Sequence, residues 1–212
     1  MNTFNIEWHW DVPYQTTLMR QEHIRNRVYN GGPESIVLAE HPPTITLGKR
    51  GGTIFHVPNG TTVVQINRGG LATWHGPGQL TLYPIIQLNR YGLGVRSLAC
   101  ILETATINTL QHFGINGTRQ KESPGIWVDD RKIAALGLDV RKGINIHGVA
   151  LNIHNGSSGF GSIEACGDSS VTYTSVAQEL QVSRCALQTI GTFWVQSFIQ
   201  TLSETAVNNS CN

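Results

Sequence analysis

An α+β fold of the α/β class, built as one domain over residues 1–212, is what the sequence predicts, and three observations carry that reading. Short β-branched apolar runs alternate with longer amphipathic stretches of helix-forming residues. Neither an internal repeat nor a low-complexity linker divides the chain. Its 212 residues, 40% hydrophobic, are enough to bury a core without disulfide or metal staples.

Taken in order, residues 14–30 hold good helix formers with Leu18, Ile24 and Val28 as apolar points, stopped by Gly31-Gly32-Pro33. Ser35–Glu40 and Pro43–Gly48 read as two strands joined by a tight turn at His41-Pro42-Pro43. Thr62–Ile66 is a further β-branched strand, and Leu80–Leu88 another. Residues 95–113 form the clearest helix, with Val95, Leu98, Ile101, Leu102, Ala105, Ile107, Leu110 and Phe113 as its apolar face and Gly114 as its stop. Gly125–Val128, Lys132–Val140 and Asn145–Ile153 follow as strands with tight turns between them, an antiparallel meander. The tail is helical again over 175–180 and 186–201.

Composition excludes several classes. A formal net charge of +1 argues against a nucleic-acid-coating protein. The N-terminus has neither a basic segment nor an apolar segment of the signal-peptide type, and no apolar run is long enough to cross a bilayer. The expected setting is the cytoplasm, with no membrane partner. Cys100, Cys166, Cys185 and Cys211 do not form a disulfide framework and are expected to be reduced.

Between the strands at 62–66 and 80–88 lies Arg68-Gly69-Gly70-Leu71-Ala72-Thr73-Trp74-His75-Gly76-Pro77-Gly78-Gln79. It reads as a loop whose backbone can approach a ligand closely. It is neither a P-loop nor a dinucleotide fingerprint, because the glycine spacing is wrong and a strand follows where a helix is required. A decorated turn with a solvated arginine is the bland alternative. In the functional one, Arg68 pins an anionic group and His75 donates a hydrogen bond or shuttles a proton.

Lys132 opens an otherwise apolar strand, Ile133-Ala134-Ala135-Leu136-Gly137-Leu138. It either snorkels from the strand end or is a desolvated ammonium able to stabilise a thiolate. Cys166 lies between Ala165 and Gly167 outside any periodic run. A buried small hydrophobe, an idle thiol, a metal ligand and a nucleophile are its possible roles. His147 and His154 do not complete a zinc pattern with it, so no metal is expected. A neighbouring cation is what makes a thiol nucleophilic at neutral pH.

Together these pieces resemble the lipoyl(octanoyl) transferases. The resemblance rests on Arg68-Gly-Gly-x-x-Thr-x-His75-Gly-Pro-Gly-Gln79, Lys132-Ile-Ala-x-Leu-Gly137, His147-Gly-x-Ala-Leu-Asn152 and Ile163-x-x-Cys166-Gly167, in that order, with Glu40-His-Pro-Pro-x-x-Thr-Leu-Gly48 ahead of them. It spans roughly residues 35–170, and Ala165 stands where the family usually carries proline. The resemblance implies a lipoate/biotin protein ligase-like catalytic domain, with a mixed, largely antiparallel sheet flanked by helices. It implies an octanoyl group taken from acyl carrier protein onto Cys166 as a thioester, then passed to the lysine of a lipoyl domain. The acceptors it implies are lipoyl domains of 2-oxoacid dehydrogenase complexes or the glycine cleavage H protein. Lys132 would lower the pKa of Cys166. Arg68, Gly69, Gly70, Leu71, Ala72, Thr73, Trp74, His75, Ala135, Leu136, Gly137, Gly148, Val149 and Ala150 would hold the substrate. No cofactor and no nucleic-acid partner are expected, and the chain is expected to act as a monomer. An ATP-dependent lipoate or biotin ligase of the same fold, or a non-catalytic module that binds carrier domains, are the competing readings.

Overall fold

A computed structural model describes residues 3–121, 123–157, 159–164 and 171–210. Among them the order is β1 (Asn5–His9), α1 (Tyr14–Tyr29), β2 (Ser35–Ala39), β3 (Thr44–Leu47), β4 (Thr62–Gln65), β5 (Ala72–His75) and β6 (Gln79–Ile85). There follow α2 (Val95–His112), β7 (Thr118–Arg119), β8 (Ile126–Val128), β9 (Arg131–Arg141), β10 (Ile144–Asn152), β11 (Thr172–Tyr173), α3 (Val176–Glu179) and α4 (Leu187–Ser210).

The main sheet runs β1-β2-β6-β10-β9-β8-β7, with β11 beside β9. The β1–β2 and β9–β11 pairs are parallel, and the other pairs of this sheet are antiparallel. Both faces are covered, which explains why β2 is an unbroken buried run instead of an alternating one. Ile36 and Leu38 turn toward the cluster that contains α2 and α4, where Trp194 and Phe198 stack at 5.2 Å. Val37 and Ala39 turn to the other face, where Ile24 and Val28 of α1 cover them together with Ile144 and Ile146 of β10. That is the expected mixed, largely antiparallel sheet with helices on its flanks.

The meander over β8, β9 and β10 and the helix α2 fall where the sequence places them. The paired run Ser35–Gly48 does not make a hairpin. β2 joins the main sheet, while β3 goes to a second sheet of order β4-β3-β5. His41-Pro42-Pro43 is the crossing point, and His41 is anchored on the main-sheet side by the Val12 carbonyl and the Tyr83 hydroxyl. Prolines cannot donate to a ladder, so the chain leaves one sheet there before entering the next.

The Gly-rich block is also not a loop throughout. Its centre is the strand β5, antiparallel to β3. Positive φ is confined to glycines at its two ends, +87° at Gly70 and +85° at Gly78. Glycine makes the bends, and Ala72-Thr73-Trp74-His75 makes the ladder between them. The helix α4 runs past the expected residue 201 to Ser210.

Candidate active site

Lys132 lies near the start of β9, 1% exposed, with its ammonium 5.2 Å from the centroid of the Trp127 indole. Gly125 makes room for it: a Cβ there would stand 2.7 Å from Lys132 Cε and would collide with the Ala134 carbonyl. The lysine therefore does not snorkel to water. It is a buried amine at the wall of a cavity.

That cavity, of about 220 Å³, lies between the β9–β10 hairpin and the Gly-rich segment. Arg68, Gly70, Leu71, Ala72, Thr73 and His75 line one side, and Ala135–Gly137 with Gly148–Ala150 line the other. In the ladder Gly148 faces Gly137, Val149 faces Leu136 and Ala150 faces Ala135, so two sequence-distant triplets form one patch of wall. Gly69 and Trp74 do not line it. Gly69 donates its N–H to the Leu138 carbonyl at 2.9 Å, tying the segment to β9. Trp74 turns into a cluster with Ile45, Phe160 and Ile163, and its indole leaves no room for a Cβ at Gly76 or Gly159.

Among the described residues no strand pairs with the edge of β9 where it meets the cavity. Pairing with β8 reaches Ala134, and the bond from Gly69 reaches Leu138. Because backbone direction alternates along a strand, Leu136 presents its N–H on the same edge as Leu138, between those two attachments.

Arg68 is 7% exposed, and its guanidinium donates to the carbonyl of Thr46 at 2.9 Å, to the Thr46 hydroxyl at 3.0 Å and to the carbonyl of Gly69 at 3.0 Å. It braces the Gly-rich segment against β3. The hydroxyl of Thr46 lies 3.3 Å from His75 Nε2, and His75 Nδ1 lies 2.7 Å from Gln79 Oε1. Gln79 gives its amide hydrogens to the Trp74 carbonyl and to Asn152 Oδ1, and Asn152 gives one to the Thr174 carbonyl. Those carbonyls fix every orientation in the chain, so His75 carries its proton on Nδ1 and accepts at Nε2. Burial, with His41 and Arg68 nearby, holds its pKa well below the ordinary histidine value. His75 is held neutral with both nitrogens engaged, which leaves it no free position from which to shuttle a proton.

A second polar cluster lines the same cavity, Tyr14, Tyr83 and His147, of which the sequence motifs contain only His147. His41 donates from Nδ1 to the Val12 carbonyl at 2.8 Å. Its Nε2 accepts from the Tyr83 hydroxyl at 3.1 Å, since Thr81 gives its proton to the Ala39 carbonyl at 2.7 Å. The hydroxyl of Tyr14 lies 3.3 Å from His147 Nδ1. Burial pushes Tyr14 up to about 12, His41 down to about 4 and His147 down to about 3, all toward the neutral form. A tyrosine and a histidine inside apolar strand runs were the available signal for Tyr83 and His147. Tyr14, at a helix start, gave none.

Beside the cavity the Asp139 carboxylate, fully buried, collects Arg25 at 3.1 Å, Lys49 at 3.0 Å and Arg141 at 3.0 Å. Burial pushes that carboxyl up, but the hydrogen bonds from Lys49 and Arg25 outweigh it and hold the pKa below the usual range. Lys49 and Arg141, in two basic pairs far apart in sequence, thus meet on one acid. Arg50, next in the chain, lines the cavity.

Cys166 lies outside the described residues. On one side of it Glu164 bonds from its N–H to the Thr53 carbonyl at 2.9 Å. On the other, Tyr173 pairs with Lys132 itself, and Thr174 donates to the Lys132 carbonyl at 3.1 Å.

A lipoate-protein ligase A solved with bound ATP has the same architecture, with a TM-score of 0.72 at 16% identity over 95% of this chain and 86% of that one. A biotin protein ligase from Aquifex aeolicus is similar at a TM-score of 0.56 and 9% identity, covering 97% and 72%. The class is therefore the lipoate/biotin protein ligase fold. The lipoyl protein ligase A/B catalytic domain matches residues 13–205, and an octanoyltransferase of Halorhodospira halophila is 39% identical over 167 residues, 78% of this chain and 77% of that one. The chain belongs to this family, among its octanoyltransferases.

Proposed function

We propose that the chain is an octanoyltransferase that moves an octanoyl group from acyl carrier protein to the lysine of a lipoyl carrier domain, through a thioester on Cys166. The observation that carries the mechanism is a buried amine, Lys132, at the wall of a cavity that the Ala135–Gly137 and Gly148–Ala150 backbone lines together with a polar group of Arg68, His75, Tyr14, Tyr83 and His147. A cavity of roughly 150 Å³ takes up benzene, so one of about 220 Å³ has the scale of an eight-carbon tail. Burying that tail contributes about 0.8 kcal/mol per methylene.

In the first half-reaction Lys132 takes the thiol proton of Cys166, and the thiolate attacks the donor thioester carbon. The oxyanion is held by the Leu136 N–H on the cavity edge of β9 and by the Gly167 N–H. Collapse expels the donor thiolate, which takes the proton back from Lys132. One thioester replaces another, so no ATP is required. In the second half-reaction the carrier lysine's neutral amine attacks, Lys132 takes its proton, and the Cys166 thiolate leaves and is reprotonated. The substrate-holding roles fall to Arg68–His75, Ala135–Gly137 and Gly148–Ala150, with Gly69 and Trp74 acting from behind the wall. The acceptors we assign are lipoyl domains of 2-oxoacid dehydrogenase complexes or the glycine cleavage H protein, met in the cytoplasm by a monomeric single-domain enzyme.

The test is intact mass after incubation with octanoyl-acyl carrier protein in the absence of ATP and Mg²⁺. One octanoyl adduct, released by hydroxylamine and lost in Cys166→Ser as a thioester, is the expected result. An ATP requirement with activity retained in Cys166→Ala makes the protein a ligase instead, and binding without any transfer makes it a docking module.

A further inference from the structure

Strand register gives the cavity a long axis. Lys132 stands near the start of β9, against Gly125. Further on, Leu138 pairs with His147 of β10, and at about 3.3 Å per residue that row lies roughly 20 Å along the strand from Lys132. Between the two, the wall is Ala135–Gly137 and Gly148–Ala150, backbone with small or apolar side chains. At the His147 end it changes to rings, those of Tyr14, His75, Tyr83 and His147.

These rings brace one another. Tyr14 is buried, stacks on His75 at 5.2 Å between ring centres and meets His41 at 5.0 Å, and its hydroxyl lies 3.3 Å from His147 Nδ1. The Tyr83 ring stands edge-on to that of His147 at 6.4 Å. The backbone of His147, at φ +62°, is held by side chains: its N–H donates to Gln21 Oε1 at 2.8 Å, and its carbonyl accepts from the Asn145 amide at 3.2 Å. Gln21 and Asn145 are themselves completely buried. A ring packed in this way in a close-packed interior does not step aside for a guest.

We propose that Tyr14 and His147 are the stop that sets the length of acyl chain this protein accepts. This rests on the octanoyltransferase reading. With the thioester oxygen at the Leu136 N–H, the Leu138–His147 row is about 7 Å further down the strand. The carbon–carbon bonds of an octanoyl chain, at about 1.5 Å each in a staggered zigzag, span roughly 9 Å from carbonyl to methyl. The last methyl of the extended chain therefore meets the Tyr14 and His147 rings. Two further methylenes would have to displace those rings, or cover polar atoms that an apolar chain cannot bond.

Competition between octanoyl- and decanoyl-acyl carrier protein for limiting enzyme, read as acyl-enzyme by intact mass, tests it. The wild type should favour octanoyl by about tenfold or more, the scale on which a pocket discriminates methylenes. Tyr14→Leu should raise the decanoyl-to-octanoyl ratio about tenfold or more, and Tyr14→Phe, which keeps the ring, less than about threefold. His147→Asn has a smaller side chain that suits the left-handed backbone. It should raise the ratio about threefold or more, and it reports on the stop even if Tyr14→Leu does not fold. A wild type indifferent to chain length, a ratio unmoved in a folded Tyr14→Leu or His147→Asn, or a Tyr14→Phe that behaves like Tyr14→Leu overturns the proposal. A wild type that forms no acyl-enzyme from either donor overturns the octanoyltransferase reading instead.

Discussion

The two walls of the cavity are held in place by different means. The β9–β10 wall is a continuous backbone ladder in the centre of the main sheet, packed on both faces. The wall formed by the Gly-rich segment belongs to a three-stranded sheet with a ladder of only four residue pairs, and side chains add the rest of its support: Arg68 on Thr46, His75 on Gln79, Gln79 on Asn152. A ladder spreads its stability over many equivalent bonds, whereas the side-chain chain has one bond per link. Damage to the first wall should therefore show in folding, and damage to the second in substrate handling.

Chemistry breaks the comparison most sharply. Lys132→Met keeps the stem but removes the amine, and transfer should fall by about 10³-fold or more, since a nucleophile's activation and its proton acceptor are lost together. Circular dichroism and thermal unfolding should stay near wild type. In the ladder wall, a Cβ at Gly148 would collide with the Leu82 carbonyl, which is backbone and cannot step aside. Gly148→Ala should cost about 2–4 kcal/mol in denaturant unfolding. In the side-chain wall, Arg68→Lys keeps the charge but loses the fork that serves Thr46 and Gly69. It should cost about 1–2 kcal/mol in stability while raising KM for the donor more than it lowers kcat.

At neutral pH the buried histidines change nothing in the pH dependence of stability, and their effect emerges only on acidification. His41 and His147 are held neutral, at about 4 and about 3, whereas in the unfolded chain they titrate near the ordinary 6.5. Depressed values mean that the unfolded state binds more protons as pH falls below 6.5, so their stabilisation is present above that pH and is lost on acidification. Between pH 6.5 and 4.5 each should contribute a slope approaching 1.4 kcal/mol per pH unit. His41→Gln should flatten the pH dependence of unfolding, and an unchanged slope would contradict the buried neutral state.

The elements that local pattern determines were legible in the sequence. α2, with its apolar stripe and terminal glycine, and the β8–β10 meander with its tight turns are of that kind. β1, β5 and β11 are not: each is a short segment whose pairing partner is what makes it a strand. Likewise nothing local in Ser35–Gly48 says that β2 and β3 join different sheets. In the site, Lys132 could be found because a charge inside an apolar strand is anomalous. The assignment of Arg68 and His75 as ligand-facing chemistry was only half legible, since their partners Thr46 and Asn152 come from other strands. Tyr14 could not be found, because only the packing of α1 over β10 brings it to the cavity.

The run from Arg68 through Thr46, His75, Gln79 and Asn152 to the Thr174 carbonyl has a sense of direction, every donor pointing the same way. With every link occupied and both ends fixed, by an arginine that cannot accept and a carbonyl that cannot donate, no single proton can hop along it. It is a lock rather than a wire, insulating the reacting atoms from proton traffic on that side of the cavity.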